Sequence, residues 1–137
     1  MGRCARTRTA PGRTEEGRTP APSQVHLASA DTTDKLCAAF GLDTGGEVNC
    51  SGGNDVVVNL KRWLLLSPYY RGRPDMYHAL IVNHEVGHRL GRGHQGCGGR
   101  GKPAPVMMQQ IKGLNGCTRN AWPYDSDGRV VEGPSVP

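Results

Sequence analysis

The order of apolar and polar side chains predicts two β-strands in the first half of the chain. Residues 24–28 (QVHLA) alternate polar and apolar side chains, which is typical of a half-buried strand and would place His26 on the outer face. Residues 55–60 (DVVVNL) form a continuous β-branched run instead. Such a run is typical of a strand that is buried on both faces or lies in the wall of a cleft.

Helical spacing occurs between and after these strands. The stretch DTTDKLCAAFG fits a helix of two turns, with apolar side chains on one face and Gly41 at the C-terminal cap. Residues 61–66 fit a short amphipathic turn with Trp63 in the core. A longer helix begins at Asp75, which is expected to be its N-cap, and its apolar positions recur at spacings of three and four.

Histidines follow the same spacing on the inward face of this longer helix. Residues 84–94, HEVGHRLGRGH, have the form H-E-x-x-H-x-x-G-x-x-H. Because residues four apart stack on one helix face, His84 and His88 can both reach one metal ion at the about 2.0–2.1 Å of a Zn–N bond. Gly91 suits the left-handed turn that ends a helix, and this turn would bring His94 back towards the ion. The spacing therefore predicts a Zn²⁺ site with three histidine ligands.

The open coordination position of such a site indicates a catalytic zinc rather than a structural one. Glu85 is expected on the side of the helix next to the first ligand, where it could deprotonate a water molecule without binding the metal. The alternative is a buried helix whose histidines satisfy local hydrogen bonds. It is disfavoured because three of the five histidines in the chain occupy the ligand positions. We interpret His78, on the flank of the same helix, as a surface or satisfied group.

The residues from His84 to His94 resemble the zinc-binding signature of the metzincin peptidases. That resemblance implies an α+β domain in two parts, with a zinc cleft, a sheet above the active-site helix and a methionine turn below the zinc. It assigns the turn to Met107 or Met108, for which core filling is the alternative role. Many metzincins have a tyrosine soon after this turn that assists the transition state, whereas the nearest later tyrosine here is Tyr124.

Several stretches also resemble one uncharacterised family of secreted or membrane-anchored actinobacterial proteins with a metzincin-like motif. They span residues 24–124 and comprise LASADTTDKLC, VVVNLKRW, NHEVGHRLGRGHQGC, KPAPVMMQQ, GLNGC and NAWPY. The resemblance places Met107 at the methionine position and implies further strands upstream, so we expect an N-terminally truncated metzincin-like domain. It also implies an extracellular or cell-envelope location, although the sequence contains no recognisable signal peptide or anchor.

Composition and charge divide the chain into three regions. Residues 1–23 contain five arginines against two glutamates and lack apolar periodicity, which predicts a disordered basic leader that contributes most of the net charge of +5. A nucleic-acid-binding arm is the alternative for this leader, but it has no interleaved aromatic residue. We predict the zinc domain at residues 24–125 and a flexible tail at residues 126–137. No apolar run approaches the roughly 20 residues of a membrane span, and we expect a monomer without a nucleic-acid partner.

Five cysteines indicate that the fold is stabilised by more than its core. The chain of 137 residues has 20 glycines and 10 prolines but only 5% aromatic residues, and small domains with thin cores are often held by disulfides and metals. Cys37 and Cys50 flank one irregular segment and Cys97 and Cys117 flank another, so we predict these two local disulfides among three possible connectivities. Cys4, in the leader, is left over.

Together these features predict a zinc metalloendopeptidase acting on peptide or protein substrates. Glu85 would take a proton from the attacking water and pass it to the leaving amine. We expect the edge of the strand at residues 55–60 to bind the substrate as an added strand. One alternative is a non-catalytic, zinc-stabilised binding module of the cell envelope, for which the carboxylate of Glu85 has no evident use. A truncated, inactive fragment is the other alternative.

Overall fold

A three-stranded sheet organises the first half of the fold. The structure is a computed structural model that describes residues 22–137, so most of the predicted leader lies outside the described residues. The strands are β1 (Gln24–Ala28), β2 (Cys50–Gly52) and β3 (Asp55–Asn59), in the spatial order β1-β3-β2. β1 runs parallel to β3, and β2 runs antiparallel to it. β3 is therefore the central strand.

Within the described residues, three α-helices pack around this sheet. They are α1 (Ala30–Ala38), α2 (Leu60–Leu65) and α3 (Pro74–Arg89), and short 3₁₀ turns occur at Pro68–Tyr70 and Gln110–Lys112. The combination of a small sheet with separate helices confirms the predicted α+β class. Within residues 22–137, no helix has both the length and the apolar character needed to cross a bilayer.

The side chains of β3 are buried on both faces of the sheet, as the continuous apolar run predicts. Val56 and Val58 are 1% and 2% exposed and pack in one core cluster with Leu80 of α3. Val57 is fully buried on the opposite face, in a second cluster with Cys37 of α1. Alternate residues of a strand point to opposite faces, so the two clusters hold α1 and α3 on opposite sides of β3.

β3 is not the edge strand that we expected to bind substrate. It pairs along its length with β1 and also with β2, so its backbone groups are already used inside the sheet. β2 lies at the end of the sheet and packs against α3. The prediction was wrong because β2 is only Cys50–Gly52, too short and too glycine-rich a segment for an alternating pattern to be recognised.

Both predicted disulfides are present. The Cys37–Cys50 bond joins α1 to β2, and the Cys97–Cys117 bond closes part of the irregular second half of the chain. α1 begins at an N-cap formed by the Ser29 side chain, which accepts a hydrogen bond from a backbone amide of the first turn. The first disulfide thereby fixes β2, which borders the cleft described below, to a capped helix.

α3 begins with a proline, not with the N-cap that the sequence predicts. Arg73 occupies the N-cap position without a side-chain cap hydrogen bond, Pro74 is the first helical residue, and Asp75 lies within the first turn. Proline is favoured at this place because its fixed φ suits the helix and its missing N–H would have no helical partner. The negatively charged carboxylate of Asp75 instead interacts favourably with the positive end of the helix dipole.

Buried polar contacts attach the irregular second half of the chain to the helices. Tyr70 is fully buried, and its hydroxyl donates to the Gln110 side chain and lies 3.3 Å from the Asn120 carbonyl oxygen. From α3, Asn83 Nδ2 donates to the carbonyl of Ala121 at 2.7 Å. These contacts give the loop-rich segment a fixed position without regular secondary structure.

β1 presents its side chains in the opposite sense to the predicted alternation. Val25 and Leu27 are 58% and 54% exposed, whereas His26 is half-buried and its Nε2 lies 3.2 Å from an oxygen of Asp55. The prediction that His26 faces outward was wrong. α3 covers β2 and β3, while β1 lies at the far edge of the sheet.

The last residues of the chain return to the segment that follows α3. The N–H of Gly96 donates to the Pro134 carbonyl at 2.7 Å, and Gln95 forms an antiparallel bridge with Ser135. This paired arrangement differs from the flexible tail predicted for residues 126–137. Local composition favours flexibility there because it is rich in glycine and proline, whereas the pairing partner is remote in sequence.

Candidate metal centre

A turn at the end of α3 positions the third predicted ligand. Gly91 has a φ of 79°, and its N–H donates to the His88 carbonyl at 2.9 Å. The N–H of Arg92 donates to the Gly87 carbonyl at 3.0 Å. This hydrogen-bond pair forms a Schellman motif, whose left-handed residue is usually glycine because a side chain would be strained there. The chain reverses at this turn and brings His94 back to α3.

Three imidazole rings converge beside α3. The candidate ligand atoms of His84, His88 and His94 all lie within 4.8 Å of one another. The Nε2 atoms of His84 and His88 are 3.1 Å apart, and the ring of His94 is centred 5.4 and 4.8 Å from the other two. Tetrahedral zinc with Zn–N bonds of 2.0–2.1 Å would separate its nitrogen donors by about 3.3 Å. The spacing of the rings is therefore suitable for one ion.

Backbone carbonyls determine which nitrogen two of these rings present. The Nδ1 atoms of His84 and His88 lie 2.6 and 2.9 Å from the carbonyl oxygens of Val106 and Arg92. A carbonyl only accepts, so the neutral rings carry their protons on Nδ1 and have lone pairs on Nε2. Two lone pairs that face each other at 3.1 Å repel unless a cation, either a proton or a metal ion, lies between them.

Burial disfavours a proton as that cation. It lowers the pKa of His84 to about 4, an effect opposed by the hydrogen bond to Val106 and increased by the neighbouring histidines. Burial also lowers the pKa of His94. At neutral pH these two rings are therefore neutral, with nitrogen lone pairs available. Imidazole donors without thiolates suit zinc among other transition metals, so the residues present fit the predicted ion.

Glu85 places an unpartnered carboxylate oxygen next to the histidines. Its side chain is only 5% exposed, and Oε2 is buried without a hydrogen-bond partner among the described residues. Burial raises the pKa of Glu85 to about 7, partly offset by a hydrogen bond from the Ser51 hydroxyl. A buried acceptor without a donor is unfavourable. This oxygen is therefore suited to accept a hydrogen bond from a bound molecule, such as water.

A tight turn at residues 105–108 packs against the ligand-bearing part of α3. Within this turn, the Met107 carbonyl oxygen accepts a hydrogen bond of 3.0 Å from the N–H of Gln95. Gln95 directly follows His94, the third histidine. The Met107 side chain is 2% exposed and packs on Gly87, where a Cβ atom would lie 2.2 Å from the methionine sulfur. Met107 therefore contacts the helix between the two histidine positions, whereas Met108 lines the cleft.

The histidines and Glu85 open into a cleft of about 610 Å³. One side is formed by β2 and the loop before it, and the other by residues 108–112. Side chains from both sides and from α3 contribute, including Ser51, Tyr77, Met108, Gln110 and Lys112. The lining of the cleft therefore includes both the histidine cluster and β2.

His78 lies outside the histidine cluster, in agreement with its interpretation as a satisfied group. Its ring stacks on Trp63 with centroids 3.6 Å apart, and its Nε2 lies 2.8 Å from the Trp63 carbonyl oxygen.

The sequence did not indicate the contributions of Ser51 or of the Val106 carbonyl to the site. The sequence did contain a sign of the close contact at Gly87. Glycine is unfavourable inside a helix unless another group packs closely against it.

Comparison with known proteins places the chain in a family without an assigned activity. The family model described as Protein of unknown function (DUF3152) matches residues 5–128. The chain belongs to this family. The DUF3152 match includes much of the segment that we interpreted as a leader, and it confirms membership of an uncharacterised family. No curated protein and no solved structure matches the chain.

Proposed function

We propose that this protein is a zinc-dependent metallopeptidase of the metzincin type. One arrangement carries the proposal: three imidazoles converge in a cleft whose lining also includes Glu85, the Oε2 atom of which is buried and unpartnered among the described residues. A structural zinc site is usually closed by four protein ligands and has no use for an adjacent free carboxylate. This arrangement favours catalysis over the alternative of a zinc-stabilised binding module.

His84, His88 and His94 would hold the zinc ion. When bound, zinc supplies Lewis acidity that lowers the pKa of a coordinated water from 15.7 to about 7. The chain itself contributes orientation, because the carbonyls of Val106 and Arg92 hold two of the imidazoles with Nε2 towards the centre. Such carbonyl partners outside the ligand set commonly fix both the tautomer and the ring direction of metal-binding histidines.

Glu85 would act as the general base and then as the general acid. In the metal-free chain, burial raises the pKa of Glu85 to about 7, which favours uptake of a proton by its carboxylate. Oε2 would accept one proton from the attacking water as the new C–O bond forms. The same proton would pass to the leaving nitrogen as the C–N bond breaks, which returns Glu85 to its starting state.

β2 is the element best placed to bind a peptide substrate. It is the end strand of the sheet, and Ser51 and Gly52 of this strand line the cleft beside the histidine cluster. An extended peptide can add to such an edge through main-chain hydrogen bonds, which require no particular sequence. The two disulfides support an oxidising location for this activity, such as the exterior of the cell or its envelope.

Zinc content measured with a matched pair of histidine variants tests the proposed ligand set. We expect one zinc per chain in the parent protein and a large loss in His94→Ala after dialysis against a weak chelator. His78→Ala is the control, because it removes an imidazole from α3 without removing a proposed ligand. Equal zinc retention in His94→Ala and the parent would refute the ligand set, as would a parent protein that binds no zinc.

A further inference from the structure

His94, the third proposed ligand, is held in position by different contacts from those that hold His84 and His88. His84 and His88 belong to α3, whose backbone hydrogen bonds fix their positions. His94 follows the helix end and belongs to an irregular segment, so its position depends on the groups that contact this segment. Residues 132–137, here called the strap, supply several of these contacts.

Backbone hydrogen bonds join the strap to His94 and its neighbours. The N–H of Val136 donates to the His94 carbonyl at 3.1 Å, and the N–H of Gly96 donates to the Pro134 carbonyl at 2.7 Å. Gln95, which directly follows His94, also forms an antiparallel bridge with Ser135 of the strap.

The strap also lies too close to its partner segment to admit an added side chain. A Cβ atom at Gly133 would lie 1.9 Å from the Gly96 carbonyl oxygen, and one at Gly98 would lie 2.9 Å from the Glu132 carbonyl oxygen. Both neighbours are backbone atoms, which cannot rotate away as a flexible side chain can. The Glu132 carboxylate lies 3.3 Å from the guanidinium of Arg92, whose carbonyl is the partner of His88.

We propose that the strap is a positioning element for the metal centre, which holds His94 in the orientation required to bind zinc. This proposal rests on the proposed zinc site. The strap acts through the backbone of His94 and of the residues that follow it, and it contributes no ligand of its own. Loss of outer partners of metal-binding histidines typically lowers metal affinity 10–100-fold, and we expect a loss of this order when the strap is displaced.

Two substitutions in the full chain displace the strap in different ways. Gly133→Ala introduces a clash with the Gly96 carbonyl, while Val136→Pro removes the N–H that donates to His94. Val136 is 40% exposed, so its substitution leaves the core intact and remains informative if Gly133→Ala fails to fold. Ser126→Ala, at an exposed position before the strap, is the control. Zinc affinity is measured by competition with a chelator, and Co²⁺ absorption reports on the coordination of the bound metal.

The proposal expects zinc affinity to fall about 10–100-fold in the strap variants, with an altered Co²⁺ spectrum, and to stay at the parent value in Ser126→Ala. Parent-like zinc affinity and an unchanged Co²⁺ spectrum in the folded strap variants would overturn it while leaving the zinc site itself intact. A parent protein that binds neither metal would instead overturn the proposed function, and the role of the strap with it.

Discussion

Gly87 and Met107 pack so closely that a Cβ atom at Gly87 would lie 2.2 Å from the methionine sulfur. Gly87 occupies the position before His88 on α3, and Met107 belongs to the turn whose neighbouring carbonyl, at Val106, binds the ring of His84. A change at this contact should therefore affect the positions of both proposed ligands on α3, His84 and His88. The close approach explains why a glycine occurs inside the helix despite its intrinsic cost there.

Gly87→Ala should destabilise the protein although alanine is the better helix former. The helix preference favours alanine by about 1 kcal/mol, whereas overpacking a close-packed core typically costs about 1–3 kcal/mol. We expect a net decrease in the free energy of unfolding, measured by chemical denaturation of the metal-free protein. Gly93→Ala is the matched control, since a Cβ there meets nothing within 4 Å. A Gly87→Ala variant more stable than the parent would show that Met107 does not restrict this position.

Asp34→Asn should make stability less dependent on pH in the acid range. The Thr44 hydroxyl and the Gly46 N–H donate to the Asp34 carboxylate, and these hydrogen bonds lower its pKa below the usual value. The ionised group therefore stabilises the folded state above the unfolded pKa of about 3.9, and this contribution is lost as pH falls through the folded pKa.

The variant should unfold more readily than the parent at neutral pH, with a difference that shrinks below about pH 3.9. Thermal unfolding of both metal-free proteins across this range measures the effect. A difference that stays constant across the acid range would mean that the charge of Asp34 makes no contribution to folding.

Patterns that depend on local chemistry were predictable from the sequence. The spacing of His84 and His88 requires only helical periodicity, and the left-handed turn at Gly91 requires only the conformational freedom of glycine. The double burial of β3 follows from its run of valines. The disulfide pairs followed from proximity along the chain, since each closes one irregular segment.

Features that depend on distant partners were not predictable. β3 is central rather than an edge strand because β1 and β2 pair with it from different parts of the chain. The exposure of Val25 is determined by how far α3 extends under the sheet. The pairing of the strap with Gly96 joins two segments that have no periodicity of their own. Only the assembled structure provides these contacts.

The most direct test of a zinc peptidase is the activity of Glu85→Gln measured alongside its zinc content. Glutamine has nearly the same volume and can still hydrogen-bond a water molecule, but it cannot take a proton from it. Fold and zinc binding should therefore persist, while hydrolysis of a broad peptide library should fall by about 10²–10⁴-fold, the usual contribution of general acid–base catalysis. Zinc-loaded parent protein that cleaves no peptide, or that cleaves no faster than zinc-loaded Glu85→Gln, would contradict the account.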